Sequence, residues 1–348
     1  MNNENFDSNK LIHEISNANN YINSIIKNSN YITDNKNEYA LMNDSLSKAQ
    51  GLYWDDQDSI GKLLRPMAVY IGTKALSGNI EAAYKVGASI QMIHNFSLVH
   101  DDIQDKSLTR RGKPSLWSEI GISQAINIGD ELFALSSYAI NLLPQNNVSY
   151  ENTLAITKII QYNVIKLTHG QFLDIHFENS DLISKNQYLR MIEDKTGALF
   201  GAAFESAALL SNRKSLDKTL RNFGLSLGIA FQAIDDYLNI WGKDKININK
   251  IGEDLINRKK SLPFILAYEL NSSVQNELTK IYSNTYNASS IDKLITLFND
   301  LNIQEKCLEF INQKISISDK ILDSSNELTD NEKNNLLNFK NIILERIK

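Results

Sequence analysis

Two aspartate clusters are the residues of this chain best suited to chemistry. The first lies in QMIHNFSLVHDDIQD, Gln91 to Asp105, where Asp101, Asp102 and Asp105 end an otherwise apolar stretch. In a helix Asp101 and Asp105 share one face a turn apart, and Asp102 sits about 100° round. Carboxylates stacked in this way repel one another and call for a cation, and hard oxygen donors suit magnesium. For one cluster alone, an acidic helix end turning to solvent is the simpler explanation. The second cluster weakens that explanation. LSLGIAFQAIDDYLNIW, Leu225 to Trp241, is again apolar and carries Asp235, Asp236 and, one turn after Asp235, Asn239, with Gln232 a turn before Asp236. Two such helices, brought face to face across a bundle interior, would bind several magnesium ions.

Magnesium is usually shared with phosphate oxygens rather than caged by protein alone. Basic residues follow both clusters: Arg110, Arg111 and Lys113 after the first, and Lys243, Lys245, Lys250, Arg258, Lys259 and Lys260 after the second. Arginine is the better donor for two-pronged phosphate contact. Net charge is -5, which excludes a whole-chain electrostatic footprint for nucleic acid and leaves a phosphorylated small molecule as the expected ligand. No GxxxxGK[ST] loop and no GxGxxG after a strand is present, and His13, His94, His100, His169 and His176 form no HExxH pair.

Helices must position these clusters. Only 15 Gly and 4 Pro serve 348 residues, too few for the turns of a strand-rich fold. Apolar residues recur at helical spacing from Lys10 to Ile26, and helices are predicted over Ile80 to Gln104, Ser123 to Leu143, Tyr150 to Phe177, Lys185 to Leu210, Leu216 to Trp241 and, with short breaks, from Leu262 to Ile347. No run alternates as a strand should. The expected architecture is all-α, one helical domain over residues 9–348 behind a disordered polar start at residues 1–8. No stretch is apolar enough to span a membrane, and the single cysteine, Cys307, fits a reducing compartment, so a cytoplasmic protein is expected.

Several ordered motifs, covering nearly the whole chain from about Leu11, resemble those of the trans-type isoprenyl diphosphate synthases, the polyprenyl synthetase family. GKLLRP (Gly61 to Pro66) is similar to the family's GGKRxRP. HNFSLVHDDIQD with TRRGKP is similar to the first aspartate-rich motif and its arginine pair, and FQAIDDYLN to the second. GQFLD, EDKTGALF and EDLINRKKSLP fall in order between and after them. The resemblance implies a helical bundle with a central cavity between two aspartate-rich helices. It assigns isopentenyl diphosphate to Lys62, Arg65, His94 and Arg111, and the allylic diphosphate to Arg110, Lys195 and Lys259. Gln171, Asp174 and Thr196 line the allylic site, and Asp254 belongs to the closing segment. Asn239 and Arg258 depart from the pattern, standing where the family has Asp and Gly.

The implied reaction is head-to-tail prenyl transfer, with no protein nucleophile. Magnesium, three ions once substrate is bound, is held by Asp101, Asp105 and Asp235, with Asp102 and Asp236 secondary, and draws charge off the departing diphosphate together with Arg110, Lys195 and Lys259. Gln232 and Thr196 hold the substrate or cation. Phe96, five positions before Asp101, and the smaller Ser97 are expected to floor the tail channel, giving a short farnesyl or geranylgeranyl diphosphate. A class I terpene synthase of the same fold and a regulatory subunit of a prenyl synthase are the alternatives, the former disfavoured by the isopentenyl ligands. A homodimer is implied by the family alone.

Overall fold

The computed structural model of the chain describes residues 20, 21, 24, 40–50, 63–178, 180, 182–242, 253–256, 258–283 and 288–347. The start of the chain, Gly61, Lys62, Lys243, Lys245 and Lys250 lie outside the described residues. The described chain is all-α, apart from one hairpin of two-residue strands. It divides into two compact units, Met1–Gln161 with Ala203–Asp217, and Tyr162–Ala202 with Lys218–Lys348.

In the first unit, α1 (Ala40–Ala49), α2 (Leu64–Ala75) and α3 (Ile80–Gln104) precede the hairpin β1 (Thr109–Arg110) and β2 (Lys113–Pro114). Then come α4 (Leu116–Ile120), α5 (Ile122–Asn141) and the first part of α6 (Tyr150–Glu178). Helix α3 starts where the Asn79 side chain accepts a hydrogen bond from the Ala82 N–H at 3.0 Å, an N-cap that satisfies one orphan amide of the first turn. It packs on α2 and α5. Leu46, Ala88, Met92, Ile128, Leu132, Leu135 and Ala139 form one core there. Each buried leucine or isoleucine contributes about 1.5–3 kcal/mol, so α3 is held firmly up to the turn that carries the first aspartates.

In the second unit, α7 (Lys185–Ile192) runs into a π-turn (Glu193–Gly197) and then α8 (Ala198–Leu210), whose residues from Ala203 on belong to the first unit. After α9 (Asp217–Trp241) come α10 (Glu253–Ile256), α11 (Leu262–Tyr268), α12 (Ser272–Ser283), α13 (Ala288–Asp300), α14 (Ile303–Asp323), α15 (Asp330–Leu344) and a 3-10 turn (Glu345–Ile347). Capping boxes start α7, through Ser184 and Gln187, and α15, through Thr329 and Glu332. The single helix expected over Lys185 to Leu210 is thus interrupted at EDKTG. Close packing explains the interruption: a Cβ on Gly170 would collide with the backbone nitrogen of Lys195, and one on Gly228 would stand 2.7 Å from the Cα of Gly197. The extra residue of the π-turn lies where two glycines admit it, a placement common near functional sites.

Candidate functional site: two aspartate motifs with their cations

In the first unit the aspartates end α3. Asp101 and Asp102 occupy its last turn and Asp105 is its C-cap, its N–H donating to the Asp101 carbonyl at 2.8 Å. The hairpin that follows was not anticipated from the sequence. Arg111 and Gly112 take φ of 53° and 76°, the positive pair that a tight two-residue turn requires. This turn carries Arg110 back onto the helix, where Nε donates to Asp102 Oδ2 at 2.8 Å and Nη2 to Asp101 Oδ2 at 3.2 Å. One guanidinium therefore bridges two carboxylates. Asp102 is buried and its Oδ1 has no hydrogen-bond partner among the described residues. Burial raises its carboxyl above the usual range, and the hydrogen bond and charge of Arg110 oppose that rise.

His94, two turns before Asp101 on α3, is half-buried. Burial, then the positive charges of Arg65, Arg111 and Arg110, hold its imidazole well below the ordinary value, so it is neutral. Four of the residues assigned by resemblance to diphosphate thus act on one another in this unit. A cavity of about 100 Å³ opens beside them; its charged lining residues are Lys48, Arg110, Arg111 and Lys113 against Asp102 and Glu119. Four cations against two carboxylates leave it positive. The same cavity reaches Gln50 and Asn95, joined by an Asn95 Nδ2 to Gln50 Oε1 hydrogen bond of 2.6 Å. Lys48 and Gln50 carry no motif, and only the fold brings them here, beside Asn95 of the first motif. Phe96 packs against Phe133 (centroids 5.5 Å) and edge-on to His100 (5.6 Å), while the Ser97 hydroxyl donates to the His94 carbonyl at 2.7 Å.

In the second unit Asp236 is buried and saturated with donors. Tyr188 OH donates to Oδ2 at 2.7 Å, the Leu262 N–H to the same oxygen at 2.8 Å, and Gln232 Nε2 to Oδ1 at 2.9 Å. Burial raises its carboxyl, and these hydrogen bonds counter the rise. Asp236 thereby clamps α9 to α7 and α11 and has little left to offer a metal. Gln232 is oriented in turn by the Thr196 hydroxyl, 2.7 Å from its Oε1. Asp235 is more exposed and pairs with Arg346. Asn239 accepts from the Asp254 N–H at 3.3 Å, so its amide holds the start of the closing segment.

Two cations share the buried carboxylate of Asp174: Lys195 Nζ at 2.6 Å and Lys259 Nζ at 3.6 Å. They line a second cavity of about 90 Å³ together with Thr196, Gln232, Asp236, Asp254 and Lys260. Gln171 is half-buried on α6, a turn before Asp174. Arg258, before Lys259, adopts φ 57°, which glycine takes without cost and other residues at roughly 1–2 kcal/mol.

Among the described residues no three Asp, Glu, His or Cys side chains converge as a ready-made metal cage. The residues still fit magnesium: the donors are hard carboxylate oxygens, Asp102 Oδ1 is a buried acceptor without a donor, and a cation that keeps its waters needs few protein ligands.

A family model for polyprenyl synthetases matches residues 52–301, and the chain belongs to that family. Geranylgeranyl diphosphate synthase of Mycobacterium tuberculosis is 33% identical over 225 residues, 64% of this chain and 63% of that protein. (2E,6E)-farnesyl diphosphate synthase of Mycobacterium bovis is 33% identical over 219 residues, 61% of this chain and 60% of that protein. The matches thus span less than two thirds of these relatives' lengths. The crystal structure of polyprenyl synthetase from Streptomyces coelicolor A3(2) superposes with a TM-score of 0.84 at 24% identity, over 97% of this chain and 99% of that one, and shares its fold.

Proposed function

We propose that this chain catalyses magnesium-dependent head-to-tail condensation of isopentenyl diphosphate with an allylic diphosphate, giving a short-chain prenyl diphosphate. The observation that carries the reading is the positive cavity beside the first aspartates, lined by Lys48, Arg110, Arg111 and Lys113. An anionic diphosphate suits that charge, and family membership supports a prenyl one.

Asp101, Asp105 and Asp235 would hold magnesium, which when bound supplies positive charge to the departing diphosphate. The chain's own residues do the rest. Arg110 in the first unit, and Lys195 and Lys259 in the second, donate to diphosphate oxygens as charge grows on them. Arg65, Arg111 and His94 bind isopentenyl diphosphate, a role that extends to Lys62. Asp102 keeps Arg110 aimed, and Asp236 keeps Gln232 and α9 in place. The double bond of isopentenyl diphosphate attacks the allylic carbon, and the released diphosphate accepts the proton. Phe96, packed on Phe133, limits how far the product tail extends.

No helix among the described residues is long and apolar enough to cross a membrane, in keeping with a cytoplasmic enzyme. Helix α5 leaves Ile122, Ile126 and Phe133 exposed along one face, an apolar row that supports a homodimer covering it. Sedimentation should return twice the chain mass. Incubation with magnesium, isopentenyl diphosphate and each of dimethylallyl, geranyl and farnesyl diphosphate, with products measured by mass, tests the reaction. Elongated prenyl diphosphates are expected; a protein that consumes no primer under any pairing refutes the reading.

A further inference from the structure

The partner of Asp235 has no counterpart in any of the motifs. Arg346 lies in the 3-10 turn that ends the described chain, and its Nη2 pairs with Asp235 Oδ1. Its guanidinium also stacks over Phe231, 4.5 Å from the ring centroid. Phe231 and Asp235 are one turn apart on α9, so Arg346 covers one face of the second motif. The turn is not a loose tail. Phe339 and Ile343 of α15 are buried, and Phe339 meets Phe200 at 5.9 Å, which meets Phe231 at 5.5 Å. The aromatic row aims Arg346 at Asp235.

The hold is incomplete in an informative way. The Arg346 side chain is only 17% exposed, yet its Nε and Nη1 have no hydrogen-bond partner among the described residues. A buried donor left without an acceptor costs free energy that water would return. Charge and stacking alone keep the guanidinium in place, and a divalent cation competes for the same carboxylate with twice the charge.

We propose that Arg346 is a resident counter-cation for the second aspartate motif, occupying Asp235 in the metal-free protein and displaced when a divalent cation binds. Metal loading at Asp235 and docking of the C-terminal turn are then mutually exclusive. The inference rests on the reading of Asp235 as a magnesium ligand.

The test uses Mn2+ alone as the probe, with free ion counted by electron paramagnetic resonance in the full chain without substrate. Arg346→Met should tighten Mn2+ binding about fivefold, the weight of a partly exposed ion pair. Asp235→Asn should weaken binding and abolish the difference between Arg346 and Met. In wild-type protein, adding Mn2+ should speed amide exchange at Glu345 to Ile347, a measurement that needs no variant. Equal Mn2+ affinity in wild type and Arg346→Met, or C-terminal exchange indifferent to Mn2+, overturns the proposal. If Asp235→Asn leaves Mn2+ binding unchanged, the metal assignment of Asp235 fails and the proposal with it. If Asp235→Asn weakens binding but Arg346→Met does not tighten it, only the displacement fails.

Discussion

Removing one hydroxyl tests how the second motif is held. Tyr188 is fully buried, and its OH is one of three donors to Asp236, which is itself only 5% exposed. Tyr188→Phe keeps the ring and its packing, opens no sizeable cavity and deletes only the 2.7 Å hydrogen bond. A hydrogen bond to a charged, buried acceptor is worth about 1.5–3 kcal/mol. The remaining donors, Gln232 Nε2 and the Leu262 N–H, can shift but not multiply, so most of that loss should appear as reduced stability. Urea denaturation followed by circular dichroism reads it: the midpoint should fall while the slope stays constant, since the surface exposed on unfolding is unchanged. In an Asp236→Asn background the same substitution should cost at least about 1 kcal/mol less, because the acceptor no longer carries charge. A Tyr188→Phe protein within about 0.5 kcal/mol of wild type would refute the clamp.

Four further outcomes follow. Arg110→Lys cannot reach both Asp101 and Asp102 with one planar fork, and kcat/KM should fall roughly tenfold to a hundredfold in steady-state assays. Gly170→Ala forces a methyl into the Lys195 backbone, which should cost about 1–3 kcal/mol and lower the melting temperature. Phe96→Ala removes the side chain packed on Phe133 and should lengthen the product measured by chromatography; an unchanged product excludes the floor. His94 is neutral when folded but takes up a proton near its ordinary value, about 6.5, when unfolded. The unfolded state therefore binds more protons below that value, so stability is full above it and declines as pH falls through it. His94→Asn should flatten the fall in denaturation midpoint between about pH 7.5 and about pH 5.5.

The helices were legible because their apolar spacing is long and regular. The prediction for Ile80 to Gln104 matches α3 at both ends, since Asn79 caps its start and three aspartates crowd its finish. The π-turn was hidden because it depends on Gly170 and Gly228 standing next to residues far away in sequence. The hairpin was hidden because only Gly112 signals a turn, while Arg111 adopts its positive φ against its own preference. Asp101, Asp102, Asp235 and Asp236 look alike in sequence, yet the fold separates them. Asp236 is fully engaged by Tyr188, Gln232 and Leu262, whereas Asp235 faces a displaceable arginine. Arg346 could not be singled out, one basic residue among several near the end of the chain. Asn239 reads as a lost ligand, but its amide serves the backbone of Asp254. Arg258 stands where glycine is usual, and its positive φ is the physical reason for that usage.

Diphosphate should leave an allylic substrate only when isopentenyl diphosphate takes its place. Diphosphate release should be followed with magnesium and geranyl diphosphate, with and without isopentenyl diphosphate, and the products collected. Release should keep step with isopentenyl consumption and be almost absent without it. Equal release without isopentenyl diphosphate, accompanied by a hydrocarbon or alcohol product, would contradict it.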